Sequence, residues 1–214
     1  MKVSNSQFQW LAWGIVILLC STALAVFGQS VDWQLGKLTS YRLFPIFGLL
    51  AFSIFLSHYI VAAARQYLGV DRSVIKKYFF ISSYMALGFF LIHPSLFIGQ
   101  LFVDGFGLPP GSYKAYVGAG MIWAVTLGMI SLLIFLSYEL LRLKRFKPWR
   151  PYLQALSDLA MILILIHGWV LGSHIQSTWF KPIWLSYGVI LLVCLLYTYG
   201  QKVLGKPEPA REKE

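Results

Sequence analysis

Along this chain, apolar residues fall in long unbroken runs, without the strict alternation of a half-buried strand or the one-sided stripe of a soluble helix. Polar residues collect in the gaps. Six runs approach the ~20 residues that a helix needs to cross a bilayer: residues 10–28, 44–64, 78–102, 115–141, 153–175 and 182–200. Inside hydrocarbon every backbone N–H and C=O must be satisfied within the segment, so each run predicts a helix. The expected fold is an all-α integral membrane protein, a six-transmembrane-helix bundle formed by residues 1–214 as a single domain with no internal repeat. Between the spans, "DGFGLPPGS" (104–112) reads as a loop broken by glycine and proline. The charged, proline-containing "GKPEPAREKE" (205–214) reads as a short disordered tail.

Composition sharpens this picture. Of 214 residues 58% are hydrophobic and 12% charged, with a mean hydropathy of +0.68, so the spans leave no room for a second, soluble domain. No glycine-rich nucleotide motif or HExxH occurs, and no flavin or nucleotide site is expected in this chain. The net charge of +10 would suit nucleic acid if it lay on one folded surface, but it is sorted by loop. Fourteen of the 18 Lys and Arg stand at Lys2, in 65–77, in 142–150 and in 202–213, leaving Lys37, Arg42, Lys114 and Lys181 for the other side. The positive-inside rule then puts both termini in the cytoplasm. The expected setting is multi-pass in a bacterial inner (cytoplasmic) membrane, with membrane lipid as a partner and no nucleic acid. "STALA" (21–25) in the first run also fits a cleavable signal peptide. Cys20 and Cys194 fall inside spans and read as small buried hydrophobes.

Candidate chemistry rests on the histidines, because ionisable groups inside a membrane are costly and default to function. His93 lies about 15 residues, roughly 22 Å, into the third run, and His167 about 14 residues into the fifth. In an up-and-down bundle the two reach nearly the same depth, in the outer half. Two imidazoles at one level suit the axial coordination of haem iron, each giving one nitrogen. Phe89, Phe90 and Trp169, with Gly88 and Gly168, would pack a large flat ligand, and Pro94 would bend the helix beside His93. The alternative is a pair of histidines that each bond a neighbouring helix. His174, seven residues beyond His167, is expected at the outer interface on the same face, with a supporting or substrate-side role as the lesser possibility. His58 sits in the inner half and reads as a structural contact.

The stretches "YLGVDRSVIKKYFFISSYMALGFFLIHPSLF" (67–97) and "KPWRPYLQALSDLAMILILIHGWVLGSHI" (147–175) resemble the ferric reductase-like transmembrane domain. That family includes the membrane halves of ferric reductases and NADPH oxidases and the haem subunit of the methionine sulfoxide reductase system. The likeness covers about residues 44–200 and implies two histidines on the third helix and two on the fifth, holding two stacked b-haems. His93 and His167 match the outer pair, but Phe79 and Gln154 stand where the inner ligands belong. The resemblance therefore implies one haem b, with His93 and His167 on its iron.

A single outer haem lies roughly 20 Å from where an inner donor would deliver electrons, so the donor is expected to be a quinol or a separate partner reductase. The acceptor is expected outside the cytoplasm, in solution or as an extracytoplasmic partner protein. Gln154 and Asp158, i and i+4 on one helical face, are candidates for a quinone or proton site; the alternative is that Asp158 pairs with Arg65 or Lys77. Arg42, Lys114 and Lys181 remain for the haem propionates. The competing reading is a redox-inactive membrane anchor or assembly partner. A small transporter or channel is disfavoured, because the spans carry no ladder of charges and no paired broken helices.

Overall fold

The computed structural model describes residues 3–34, 36, 38–139, 148–176 and 179–204. The described residues form seven α-helices and no strand: α1 (Asn5–Ser30), α2 (Ser40–Leu68), α3 (Lys76–Val103), α4 (Gly111–Val117), α5 (Ile122–Glu139), α6 (Arg150–Leu171) and α7 (Phe180–Val203). All but α4 belong to the six segments long and apolar enough to cross a membrane, which makes this a multi-pass integral membrane architecture. The tail 205–214, Lys2 and Lys37, and the basic residues at 142, 144, 145 and 147 lie outside the described residues.

Observed boundaries differ from the expected ones for local reasons. The fourth run, expected as one helix over 115–141, is two helices separated at Gly118. That glycine has φ +75° and ψ 161°, a region that residues with a Cβ scarcely enter. The fifth run, expected to 175, stops at Leu171, because Gly172 turns extended; His174 therefore lies beyond the helix in a turn. Pro94 falls within an unbroken α3. Between α2 and α3, "LGVDR" is a stop followed by a start. Gly69, left-handed at φ +66°, closes α2 while Gly69 and Val70 donate backwards to Gln66 and Arg65, a Schellman ending. Asp71 then caps the short 3₁₀ turn Arg72–Ile75 by accepting the Ser73 N–H at 2.7 Å, and those hydrogen bonds hold its carboxyl below the usual carboxylate range.

Apart from α6, whose polar residues gather towards one side, the long helices are apolar on all sides, as lipid-facing helices can be, since the surrounding acyl chains are as greasy as the core. Leu133, Val189 and Leu196 are all exposed. Association therefore depends on shape and on polar contacts. α2 is the most buried span and packs against α1, α3 and α7, whereas α5 packs chiefly on α6. The helix pairs α2–α3 and α5–α6 are closely packed, but α3 does not run closely along α5 or α6. Phe55 of α2, Phe90 of α3 and Phe135 of α5 close the space between the pairs at mid-depth: Phe55 stacks on Phe135 at 4.5 Å and Phe90 meets Phe135 edge-on at 5.2 Å.

The bundle has two recognisable ends. Its near end holds the start of α1, where Gln9 Nε2 donates to the Val74 carbonyl. The far end holds α4 and the turn after α6, where His174 meets Phe27 of α1 edge-on at 6.0 Å.

Candidate functional site

His93 of α3 and His167 of α6 come together near the far end, with ring centroids 6.5 Å apart and ring planes at 84°. Each ring is held by the other helix of its own pair, in the same way. His93 Nδ1 donates to the Phe44 carbonyl of α2 at 2.8 Å, and His167 Nδ1 donates to the Ala124 carbonyl of α5 at 2.8 Å. In a helix, the carbonyl of residue i lies beside the side chain of residue i+4. Here those residues are Gly48 and Gly128, so each carbonyl stands open to sideways approach. A Cβ at Gly48 would meet His93 at 2.9 Å, and one at Gly128 would meet His167 at 2.8 Å. Each imidazole thus lies flat in a notch that only glycine provides.

This anchoring decides what the rings can do. A carbonyl only accepts, so Nδ1 carries the proton and Nε2 of the neutral ring is a bare acceptor. Among the described residues neither Nε2 has a hydrogen-bond partner. Two acceptors cannot satisfy one another, so only a Lewis acid or a donor could engage both. Metal–nitrogen bonds of about 2.0 Å on both rings would set the centroids roughly 6.3 Å apart, close to the observed spacing. Nδ1–H bound to a backbone carbonyl is also the arrangement that fixes the tautomer of a metal-ligating histidine. In chemistry the donor set, two neutral imidazoles with their tautomers fixed through Nδ1, is the one that an axial pair for haem iron would need. Among the described residues no three His, Cys, Asp or Glu side chains converge, which leaves the pair without a third protein ligand.

The other expected residues are distributed unevenly. Phe89 and Phe90 lie one turn from His93; Phe89 tilts against Phe47 at 5.8 Å, and Phe90 belongs to the mid-depth aromatic closure. Phe44 tilts against His93 at 5.1 Å. Trp169 packs towards α7, with Lys181 Nζ 5.3 Å above its ring. A Cβ on Gly168 would meet Trp184, and one on Gly88 would meet open space, so neither glycine cradles the histidines. Arg42 and Lys114 are exposed. Burial against α1 pulls the His174 imidazole below its ordinary range.

Towards the near end the polar groups are otherwise engaged. His58 Nε2 donates to Ser82 Oγ at 2.7 Å, and Ser82 Oγ donates in turn to the Tyr78 carbonyl at 2.7 Å. Phe79, at one absent inner-ligand position, lies edge-on to His58 at 5.0 Å. Gln154, at the other, is exposed. Asp158 pairs with neither Arg65 nor Lys77: its oxygens accept from Tyr59 at 2.9 Å and Tyr199 at 2.7 Å, while Arg65 donates to the Val70 carbonyl.

Sequence reasoning missed Gly48, Gly128 and the two tyrosines. Glycine is common in membrane helices, and no local signal marks one that faces a histidine on another helix. No family model, curated protein or solved structure matches the chain.

Proposed function

We propose that the chain is a b-type cytochrome subunit of a membrane oxidoreductase, with one haem held between His93 and His167 near the extracytoplasmic side. It passes electrons from a quinol or partner reductase to an extracytoplasmic acceptor. The observation that carries this reading is the pair of neighbouring imidazoles, 6.5 Å apart, each fixed through Nδ1 over a glycine notch with its Nε2 lone pair unclaimed. Bound there, haem iron would supply a one-electron carrier.

The chain's own residues account for the rest. Phe44 and Ala124 carbonyls orient the rings and set their tautomers; Gly48 and Gly128 admit them. Phe90, Phe55 and Phe135 pack together on the near side of the histidines. The orientation rests on the basic residues at 65–77, 142–150 and the tail, which put both termini in the cytoplasm and the far end outside. That topology fits a bacterial inner membrane.

A reduced-minus-oxidised spectrum of the purified protein, with pyridine haemochrome quantification, tests the reading. A Soret band and one haem per chain are expected. A colourless protein after expression with ample haem would leave the redox-inactive membrane anchor in its place.

A further inference from the structure

Sequence reading expects no internal repeat, yet α2–α3 and α5–α6 carry like residues in the same order. Aligned on the two notch glycines, "GLLAFSIFLS" (48–57) of α2 matches "GMISLLIFLS" (128–137) of α5, sharing the glycine and the closing IFLS. Aligned on the two histidines, "ALGFFLIH" (86–93) of α3 matches "AMILILIH" (160–167) of α6, sharing the alanine and the closing LIH. Matches this short arise by chance in an apolar chain, so the place of each residue in the fold has to decide.

The matched residues do the same work in both pairs. The carbonyl four residues before each glycine holds the imidazole, Phe44 for His93 and Ala124 for His167, both at 2.8 Å. Seven residues before each histidine stands a fully buried alanine, Ala86 or Ala160, and three after each glycine a small buried residue, Ala51 or Ser131. Ser131 Oγ reaches the Ala160 carbonyl at 3.2 Å, so in α5–α6 these small residues lie where the two helices touch. Elsewhere on the same helices Met85 and Leu159 are 47% and 48% exposed, and Ile92 and Ile166 are both 40% exposed. α3 and α6 are therefore rotated alike within their pairs. Between the pairs, equivalent residues meet each other: His93 lies 6.5 Å from His167, and Phe55 stacks on Phe135 at 4.5 Å and 10°. Residues that contact their own counterparts are the mark of a two-fold axis.

We infer that α2–α3 and α5–α6 are two copies of one helix pair about a local two-fold axis, and that the histidine site is assembled on that axis. Each copy supplies an imidazole, a carbonyl and a glycine. α2 and α5 both lead away from the histidine level and α3 and α6 both return to it, as an axis along the membrane normal requires. The class of ligand such a site suits has two like faces, one for the Nε2 of each copy; an occupant with a single binding face would leave one copy idle. The inference rests on the proposed electron-carrying role for the identity of that ligand, whereas the axis rests on the matched residues.

The test uses the full chain in lipid nanodiscs, with Cys20→Ser and Cys194→Ser removing the native thiols, and reads distances between paired nitroxide labels by pulsed electron paramagnetic resonance. A two-fold axis demands reciprocity: a distance from one copy to the other must equal the distance between the counterparts. Met85→Cys with Ile166→Cys and Leu159→Cys with Ile92→Cys make one reciprocal set on exposed positions of α3 and α6. Phe80→Cys with Ile166→Cys and Gln154→Cys with Ile92→Cys make a second. Within each set the two distance distributions should coincide. A difference of one helical turn, about 5 Å, or more in either set would overturn the axis, and the likeness would then stop at how each histidine is held. Titrated with haemin, Gly48→Ala and Gly128→Ala should lose affinity by like factors; a tenfold gap between them, about 1.4 kcal/mol, would overturn the equal sharing of the site. Reciprocal distances in a chain that takes up no haemin sink the electron-carrier reading alone, and haemin uptake with unequal distances sinks the axis alone.

Discussion

The histidine level near the far end and the histidine level towards the near end are built from the same materials and reach opposite outcomes. His93 and His167 each spend one nitrogen on a neighbouring helix and keep the other unpaired. His58 instead spends Nε2, the nitrogen the other two keep free, on Ser82, and is ringed by Phe55, Tyr78 and Phe79. The difference lies in what stands opposite. A bare carbonyl above a glycine takes Nδ1 and leaves Nε2, the outer nitrogen, unclaimed, whereas a serine hydroxyl on the next helix takes Nε2 and leaves His58 only Nδ1, the nitrogen closer to its own backbone. A membrane histidine therefore becomes a candidate ligand through the nitrogen it has left, and depth alone does not make it one.

The most severe way to break this contrast is to remove a ligand. His93→Ala or His167→Ala should abolish the Soret band, while Gln154→Ala leaves it intact; retention of haem in the double histidine variant would overturn the ligand assignment. Next in size come the notches. Gly48→Ala or Gly128→Ala places a methyl within 3 Å of an imidazole and costs about 1–3 kcal/mol of overpacking, so haem affinity should fall roughly tenfold or more. Equal haem titration curves for wild type and both variants would show that the notches do not set the ring positions.

At the other level, Ser82→Ala should leave haem content unchanged and lower thermal stability by about 1 kcal/mol, the usual worth of an interhelical hydrogen bond. Haem loss there would mean that the two levels are not independent. The smallest effect concerns His174. Burial lowers its folded pKa, so the unfolded chain takes up the proton more readily as pH falls below the ordinary histidine value. Its contribution is present at pH 7.5 and lost on acidification; His174→Phe should flatten the fall in Tm between pH 7.5 and pH 5, and identical slopes would remove His174 from the account.

The membrane architecture was legible because it follows from composition over long windows. Twenty consecutive apolar residues admit few structures in lipid, whatever their neighbours do. Even the errors were local: Gly118 and Gly172 each ended a helix inside an expected span, because the backbone at a glycine readily leaves the helix. His93 and His167 were found by counting residues from the ends of their runs. Phe89, Phe90 and Trp169 were chosen for proximity along the chain, and the helices sort them: Phe89 and Phe90 lie one turn from His93. Trp169, two residues from His167, is carried about 200° around the helix and packs towards Lys181.

The sequence alone determined that this chain has six segments long and apolar enough to cross a membrane and carries histidines at matched depth in two of them, because both properties depend only on residue type and on rise per residue. Tertiary structure alone decided which nitrogen each histidine keeps, that Gly48 and Gly128 make room for the rings, and that Asp158 is held by tyrosines from two other helices. Those outcomes depend on the rotation of each helix about its axis and on what its neighbour presents, and where helices are greasy on every side, as all the long ones but α6 are, the sequence pattern does not encode that rotation.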